Sequence, residues 1–210
     1  MYAGDGFMVS FKIVSVGSYC VNCVVVSESG RCLVVDPGQD ADVIADCIKS
    51  QNLTPVAVLL THGHFDHVGG IPGLLERYQG LSVYAHPSDW PMFGHPLNRC
   101  PPDYPGVPRP ADLRDVRTAE SDFAEFGMSV METPGHTPGS VCLRFGNTLL
   151  SGDTLFAGSC GRTDFPGGSM AAMRSSLSAL SALPPEVAVI PGHGASTTIG
   201  REIEFNPFIV

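Results

Sequence analysis

Thr61-His62-Gly63-His64-Phe65-Asp66-His67 is the stretch that decides how this chain is read. It packs three imidazoles and one carboxylate into seven residues. Neutral imidazole and carboxylate are the usual ligands of zinc, iron and other divalent transition metals. Just before it, residues 56–60 (Val-Ala-Val-Leu-Leu) read as a short buried strand bounded by Pro55. The ligand-type side chains therefore stand where a buried strand spills into a loop, a place from which a rigid scaffold presents groups to a cleft.

Working outward, three more apolar runs end in polar groups. Residues 128–132 lead into Thr133-Pro134-Gly135-His136-Thr137-Pro138-Gly139-Ser140. Residues 148–150 lead into Ser151-Gly152-Asp153-Thr154, and residues 187–190 into Pro191-Gly192-His193-Gly194. Each time a His or Asp follows the run with Gly or Pro beside it, and glycine lets a backbone turn tightly and approach a site. Five of the seven histidines, His62, His64, His67, His136 and His193, fall in these four segments. Histidines that merely satisfy a local hydrogen bond would not gather in this way. His86 and His95 lie outside the pattern and read as ordinary core or surface residues.

The rest of the chain alternates strands and helices. Residues 11–16, 23–27 and 32–35 read as strands, with residues 28–31 as the turn between the last two. Asp40 is placed to cap a helix that turns Val43, Ile44, Cys47 and Ile48 inward. A second helix is expected from about Gly70, with Pro72 in its first turn and Ile71, Leu74, Leu75 and Tyr78 inward. Residues 82–85 read as a strand, and Gly146-Asn147 as the turn between strands 141–145 and 148–150. Residues 169–183 read as a helix with Met170, Met173, Leu177, Leu180 and Leu183 on one face, stopped by Pro184-Pro185. Between them, residues 86–117 hold eight prolines and are expected to form a loop excursion of the lid or binding type, with Trp90 and Phe93 packing locally. This order fits an α/β domain of two sheet layers flanked by helices.

Composition narrows the partners. A 210-residue chain suits one domain with a sizeable core. A net charge of −9 repels phosphate backbones, so nucleic acid is not expected. No polybasic segment and no apolar run near ~20 residues points to a membrane. Residues 1–10 contain Asp5 and no Lys or Arg, unlike a signal peptide. The seven cysteines are odd in number and several lie in apolar runs, which fits a reduced cytoplasm better than a disulfide framework. Cys20-Val21-Asn22-Cys23 has redox-motif spacing but opens a strand, so it reads as packing.

Taken in order, the 61–67 loop, His136, Asp153 and His193 resemble the metallo-β-lactamase superfamily along almost the whole chain. The resemblance implies an αββα sandwich with a two-metal site at one edge, expected as one domain over residues 1–210; the separate C-terminal helical domain of full-length glyoxalase II is not expected here. Carried over residue by residue, His62, His64 and His136 would hold the first ion, and Asp66, His67 and His193 the second. Asp153 would bridge both, and Asp36 would support the metal loop from behind. Zinc is the first candidate, with iron and manganese next. The implied chemistry is attack of a metal-bridging hydroxide on a carbonyl, with Asp66 and Asp153 as catalytic carboxylates that orient the nucleophile.

Details of the motifs select a branch. A bridging Asp153 argues against a true β-lactamase, and His64 stands where the flavin-coupled diiron branch has Glu. The acidic surface argues against the nucleases. Residues 161–169 (Gly-Arg-Thr-Asp-Phe-Pro-Gly-Gly-Ser) resemble the glycine-arginine-aspartate motif of glyoxalase II and of persulfide dioxygenases. Residues 191–208 resemble small prokaryotic glyoxalase II-like hydrolases. The expected activity is hydrolysis of a small thioester, S-2-hydroxyacylglutathione in the first instance, with Arg162 as a substrate contact. In the local alternative Arg162 pairs with Asp164 to hold its own loop. A one-iron persulfide dioxygenase using His62, His136 and Asp153 is the second expectation, and a non-enzymatic metal-binding protein the third.

Overall fold

Val21, Cys23 and Val25 face one apolar cluster while Val24 and Val26, one residue out of step, face another. A strand with period-two side chains reads as an unbroken apolar run only when both faces are covered. That strand, β2 (Val21–Glu28), pairs antiparallel with β1 (Ser10–Val16) and with β3 (Arg31–Val35). Ser29 and Gly30, both at positive φ, turn the chain between β2 and β3. β3 splits in the same way, Cys32 and Val34 to one cluster, Leu33 and Val35 to the other.

The computed structural model describes residues 9–98 and 106–209. The first sheet has the order β1-β2-β3-β4-β5-β6, with β4 (Thr54–Leu59), β5 (Ser82–Ala85) and β6 (Leu113–Asp115) running parallel to β3. Its outer face is covered by α1 (Ala41–Ser50) and α3 (Ile71–Arg77), which contribute Ile44, Ile48, Ile71 and Leu74 to the first cluster. The second sheet comprises β7 (Met128–Glu132), β8 (Val141–Phe145), β9 (Thr148–Gly152), β12 (Ala188–Pro191) and β13 (Thr197–Thr198), in the order β13-β12-β9-β8-β7. A small hairpin, β10 (Leu155–Phe156) with β11 (Ser159–Cys160), follows β9. Val141, Leu143, Phe145, Leu150 and Ile190 meet the first sheet in the central cluster. Cys142, Leu149 and Val189 face the other way, under α5 (Met170–Ser181) and α6 (Ile199–Phe205). Three apolar layers between helix, sheet, sheet and helix make an αββα sandwich, as the sequence led us to expect.

Several local expectations are corrected. Asp40 stands at the N-cap position just before α1, but its side chain does not cap the helix. It sits at φ 52 and accepts from the Gly17 N–H at 2.8 Å, tying the β1–β2 turn to the helix start. Val43 is 50% exposed and Met170 37% exposed, so both stand outside their helices' buried stripes. Residues 86–117 are more than a loop excursion. Pro87–Met92 and Pro96–Asn98 are 3₁₀ turns, and β6 adds an edge strand to the first sheet. Proline suits the first position of such turns while spoiling longer periodicity, so the order there was hidden. Phe93 is buried, and Trp90 packs beside it and donates to the Ala85 carbonyl at 3.0 Å, as expected of local packing. Two one-turn helices, α2 (Phe65–Val68) and α4 (Ala119–Asp122), were not foreseen, nor were α6 and the short strands β10, β11 and β13. Of the Cys20–Cys23 pair only Cys23 is buried; Cys20 is exposed in the turn before β2. The readings of residues 1–8, of Cys100 and of Pro101, Pro102 and Pro105 fall outside the described residues. Among the described residues no helix is long and apolar enough to cross a membrane.

Candidate metal centre

Four strands deliver the site to one edge of the sandwich. The 61–67 loop follows β4, His136 follows β7, Asp153 follows β9 and His193 follows β12. Backbone hydrogen bonds tie the loops together at this edge, the first two of them between the sheets. Val141 N–H donates to the Thr61 carbonyl, Asn22 N–H to Gly192, and Gly192 N–H to Gly152, each at 2.8 Å. Asn22 also donates through its side chain to the carbonyls of Pro191 and Gly194, both at 2.9 Å, and so holds the turn that carries His193.

All seven predicted ligand residues come together here, and each ring whose remote nitrogen is tied down turns its other nitrogen inward. Asp36, at the end of β3 with φ 50, accepts the Thr61 N–H at 2.8 Å and the Thr61 hydroxyl at 2.6 Å. Its Oδ2 also lies 3.0 Å from Nδ1 of His67. His136 donates from Nδ1 to the Arg162 carbonyl at 2.7 Å, and His193 from Nδ1 to the Tyr19 carbonyl at 2.9 Å. A neutral ring that spends its proton on one nitrogen keeps a lone pair on the other. The three Nε2 atoms so prepared converge on carboxylates. His67 Nε2 and His136 Nε2 each lie 3.5 Å from an oxygen of Asp153, and His193 Nε2 lies 3.3 Å from Oδ2 of Asp66.

Ring nitrogens in this arrangement face one another. Nε2 of His67 and Nε2 of His193 are 3.3 Å apart, and Nδ1 of His64 is 2.8 Å from Nε2 of His136. Nε2 of His62 and Oδ1 of Asp153 are buried with no hydrogen-bond partner among the described residues. Buried polar atoms are almost always paired, so acceptors gathered around shared space mark where a cation fits. His62, His64 and His136 form one compact group and Asp66, His67 and His193 another. Asp36, His62 and His67 also lie close, but the oxygens of Asp36 are already taken by Thr61 and His67. The set is therefore suited to two divalent transition ions.

With no ion in place the two halves of the site differ in their electrostatics. Burial, with His136 and His67 nearby, pushes the His64 imidazole down to about 3. Burial and the surrounding rings hold His62 well below the usual histidine range. Burial also opposes charge on His67, but Asp153, Asp66 and Asp36 outweigh it and raise that ring to about 10. For Asp66 burial is outweighed by His67 and His193, and its carboxyl falls to about 2. The pocket thus has one half that rejects a proton and another that gathers positive charge.

The chain matches the metallo-beta-lactamase superfamily model over residues 19–193. It belongs to that superfamily. Among curated relatives it is 34% identical to a protein of Bacillus subtilis named "Probable metallo-hydrolase YqgX", over 92% of this chain and 94% of that one. Among solved structures, BLEG-1 B3 metallo-beta-lactamase superposes with a TM-score of 0.88 at 34% identity, covering 95% of this chain and 99% of that one. TTHA1623 in a di-iron-bound form gives 0.84 at 38% identity, over 94% and 100%. ETHE1 from Myxococcus xanthus gives 0.72 at 26% identity, over 94% and 83%.

A cavity of about 510 Å³ opens beside the superfamily's metal edge, lined by Tyr19, Phe65, Met92, His95, Arg162 and Phe165 among others. His95, read from sequence as ordinary, thus stands in the cleft wall, whereas His86 holds its own turn by accepting from Ser88 N–H at 3.2 Å. Arg162 makes the local pair with Asp164 at 2.8 and 2.9 Å and lies 4.3 Å over the Phe165 ring, on the cavity rim. Sequence reasoning missed Asn22, Asp89, Asn98 and the carbonyls of Tyr19 and Arg162. Backbone acceptors carry no side-chain signature, and Asn22 was read only as part of the Cys20–Cys23 packing that opens a strand.

Proposed function

We propose that this protein is a binuclear metallohydrolase that cleaves small thioesters, S-2-hydroxyacylglutathione among them. The observation that supports it most directly is the convergence of imidazole nitrogens and carboxylate oxygens in two adjoining groups. In this reading His62, His64 and His136 hold one ion, Asp66, His67 and His193 hold the other, and Asp153 lies between them. Bound there, two divalent ions would supply water acidified to near neutrality and a Lewis acid for the carbonyl oxygen. Asp66, whose carboxyl is held at about 2, stays ionised at neutral pH and accepts a hydrogen bond from the attacking water. Asp153, whose Oδ1 has no hydrogen-bond partner among the described residues, would orient the same water. The new C–O bond forms as the C–S bond breaks, and the thiol leaves with the proton the water gives up.

Tyr19, Phe65 and Phe165 would wall the substrate, and Arg162 would contact it from the rim. The six described cysteines are all free, which supports a reducing cytoplasm as the compartment. The test is release of free thiol by purified protein loaded with zinc, manganese or iron. The panel would hold S-lactoylglutathione, neutral acyl thioesters, a lactone and a β-lactam, the last because BLEG-1 is described as a B3 metallo-beta-lactamase. Metal-dependent thiol release is expected; turnover confined to the β-lactam, or none at all, would overturn the reading.

A second reading, an iron-dependent glutathione persulfide dioxygenase, has one supporting observation, the likeness to ETHE1. It would use His62, His136 and Asp153 around a single iron. Oxygen uptake on glutathione persulfide at one iron per chain, without thioester turnover, would favour it.

A further inference from the structure

Asp89 is fully buried, yet among the described residues no lysine or arginine reaches it. Its carboxylate is held by three donors instead. Oδ2 accepts the Gly63 N–H at 2.9 Å and the Thr137 hydroxyl at 2.7 Å, and Oδ1 accepts the Gly139 N–H at 2.8 Å. These donors belong to two different loops. Gly63 lies between His62 and His64, while Thr137 follows His136 directly and Gly139 is three residues after it. One side chain therefore spans the two loops that together make the first ligand group.

The fit leaves no slack. A Cβ on Gly139 would lie 2.6 Å from Cγ of Asp89, and one on Gly63 would lie 3.2 Å from both Cβ of Asp89 and Sδ of Met92. Asn98, from the next 3₁₀ turn, completes the hold by donating to the Gly63 carbonyl at 2.8 Å and accepting the Phe65 N–H at 3.0 Å. Both hydrogen-bonding groups of Gly63 are thus taken by residues of the proline-rich segment. Leaving a charge buried is costly unless its donors are well placed. A buried carboxylate held by three donors, with His86 as the charge that acts on it and no lysine or arginine among the described residues, points to a demand for acceptors in fixed positions.

We propose that Asp89 is a positioning residue for the His62, His64 and His136 half of the site. It sets the distance between the 61–67 loop and the His136 loop, and through that distance the fit of the ion held there. The proline-rich segment is then a brace for the metal loops as well as a cavity wall. This inference rests on the ligand assignment under the proposed function.

The test is a zinc titration of the protein and of the Asp89→Asn variant, followed by the nitrogen resonances of the histidine rings. Asparagine keeps the shape but puts an amide N–H₂ against donors. Glu202→Gln is the control, because Glu202 is also a buried carboxylate with three donors. They are Gly158 N–H, the Thr197 hydroxyl and the Asn206 amide, none of them beside a residue of the first group. In Asp89→Asn, His62, His64 and His136 should need at least tenfold more zinc to respond, while His67 and His193 saturate as before. Glu202→Gln should show no such split. Unchanged zinc affinity in folded Asp89→Asn overturns the inference, as does an equal loss in both variants. If Asp89→Asn does not fold, Thr137→Val, which removes one of the three donors, is read against the same two outcomes. Absence of any zinc response from His62, His64 and His136 in the unsubstituted protein overturns the ligand assignment itself.

Discussion

Replacing Asp36 by asparagine perturbs the centre without touching a residue assigned as a ligand. Asp36 adopts φ 50, and asparagine tolerates that left-handed region as readily as aspartate, so the backbone need not move. The two oxygens of Asp36 face three groups: the Thr61 N–H, the Thr61 hydroxyl and Nδ1 of His67. An amide placed with nitrogen toward Thr61 N–H strands a buried backbone donor. Placed the other way, it faces His67 Nδ1 and favours the ring form protonated on Nε2, the atom aimed at Asp153 and His193. Either way a charge-assisted hydrogen bond worth about 1.5–3 kcal/mol is lost in one orientation or used against the inward lone pair in the other. At 1.4 kcal/mol per tenfold, that corresponds to zinc binding weaker by roughly 10- to 100-fold at the Asp66, His67 and His193 group. Competition with a chromophoric chelator measures the affinity, and the His67 ring resonances report which nitrogen carries the proton. Zinc affinity within about twofold of the unsubstituted protein would refute the tautomer argument.

Three further outcomes follow from the same geometry. Gly192→Ala would set a Cβ against Oδ1 of Asp153 and 2.7 Å from Cε1 of His67, so zinc content and hydrolysis should fall together; unchanged zinc content would count against this packing. Burial raises the Cys142 thiol to about 11, so the native state keeps a proton that the unfolded chain loses from about pH 9 upward. Stability of the metal-free protein should therefore fall between pH 9 and 11, by roughly 3 kcal/mol from this thiol, and urea unfolding of Cys142→Ala should show a shallower decline. Arg162→Ala should leave zinc content unchanged, since His136 uses only the backbone carbonyl there, and should raise KM if the guanidinium meets substrate; loss of zinc would assign the side chain a structural role.

The layered fold was legible because β2, β3 and β8 carry unbroken apolar runs, at residues 23–26, 32–35 and 141–143, and only strands covered on both faces can. The ligand residues were legible because they follow such strands with glycine or proline beside them. What holds them in place was not. Asp89 sits among prolines that break every periodic signal, and its three donors are far from it in sequence. Tyr19 and Arg162 act on His193 and His136 through carbonyls that any residue would supply. Asp40 misled because an aspartate before a helix usually caps it, whereas here its oxygen is drawn to Gly17.

The central claim is that both ligand groups hold metal and that hydrolysis needs them both. Thiol release from the best thioester of the panel, followed as metal is added back to metal-free protein, tests it most directly. The rate is predicted to keep rising through the second equivalent per chain and to level off at two. A rate that is complete at one equivalent, or thiol release that does not respond to metal, would contradict the account.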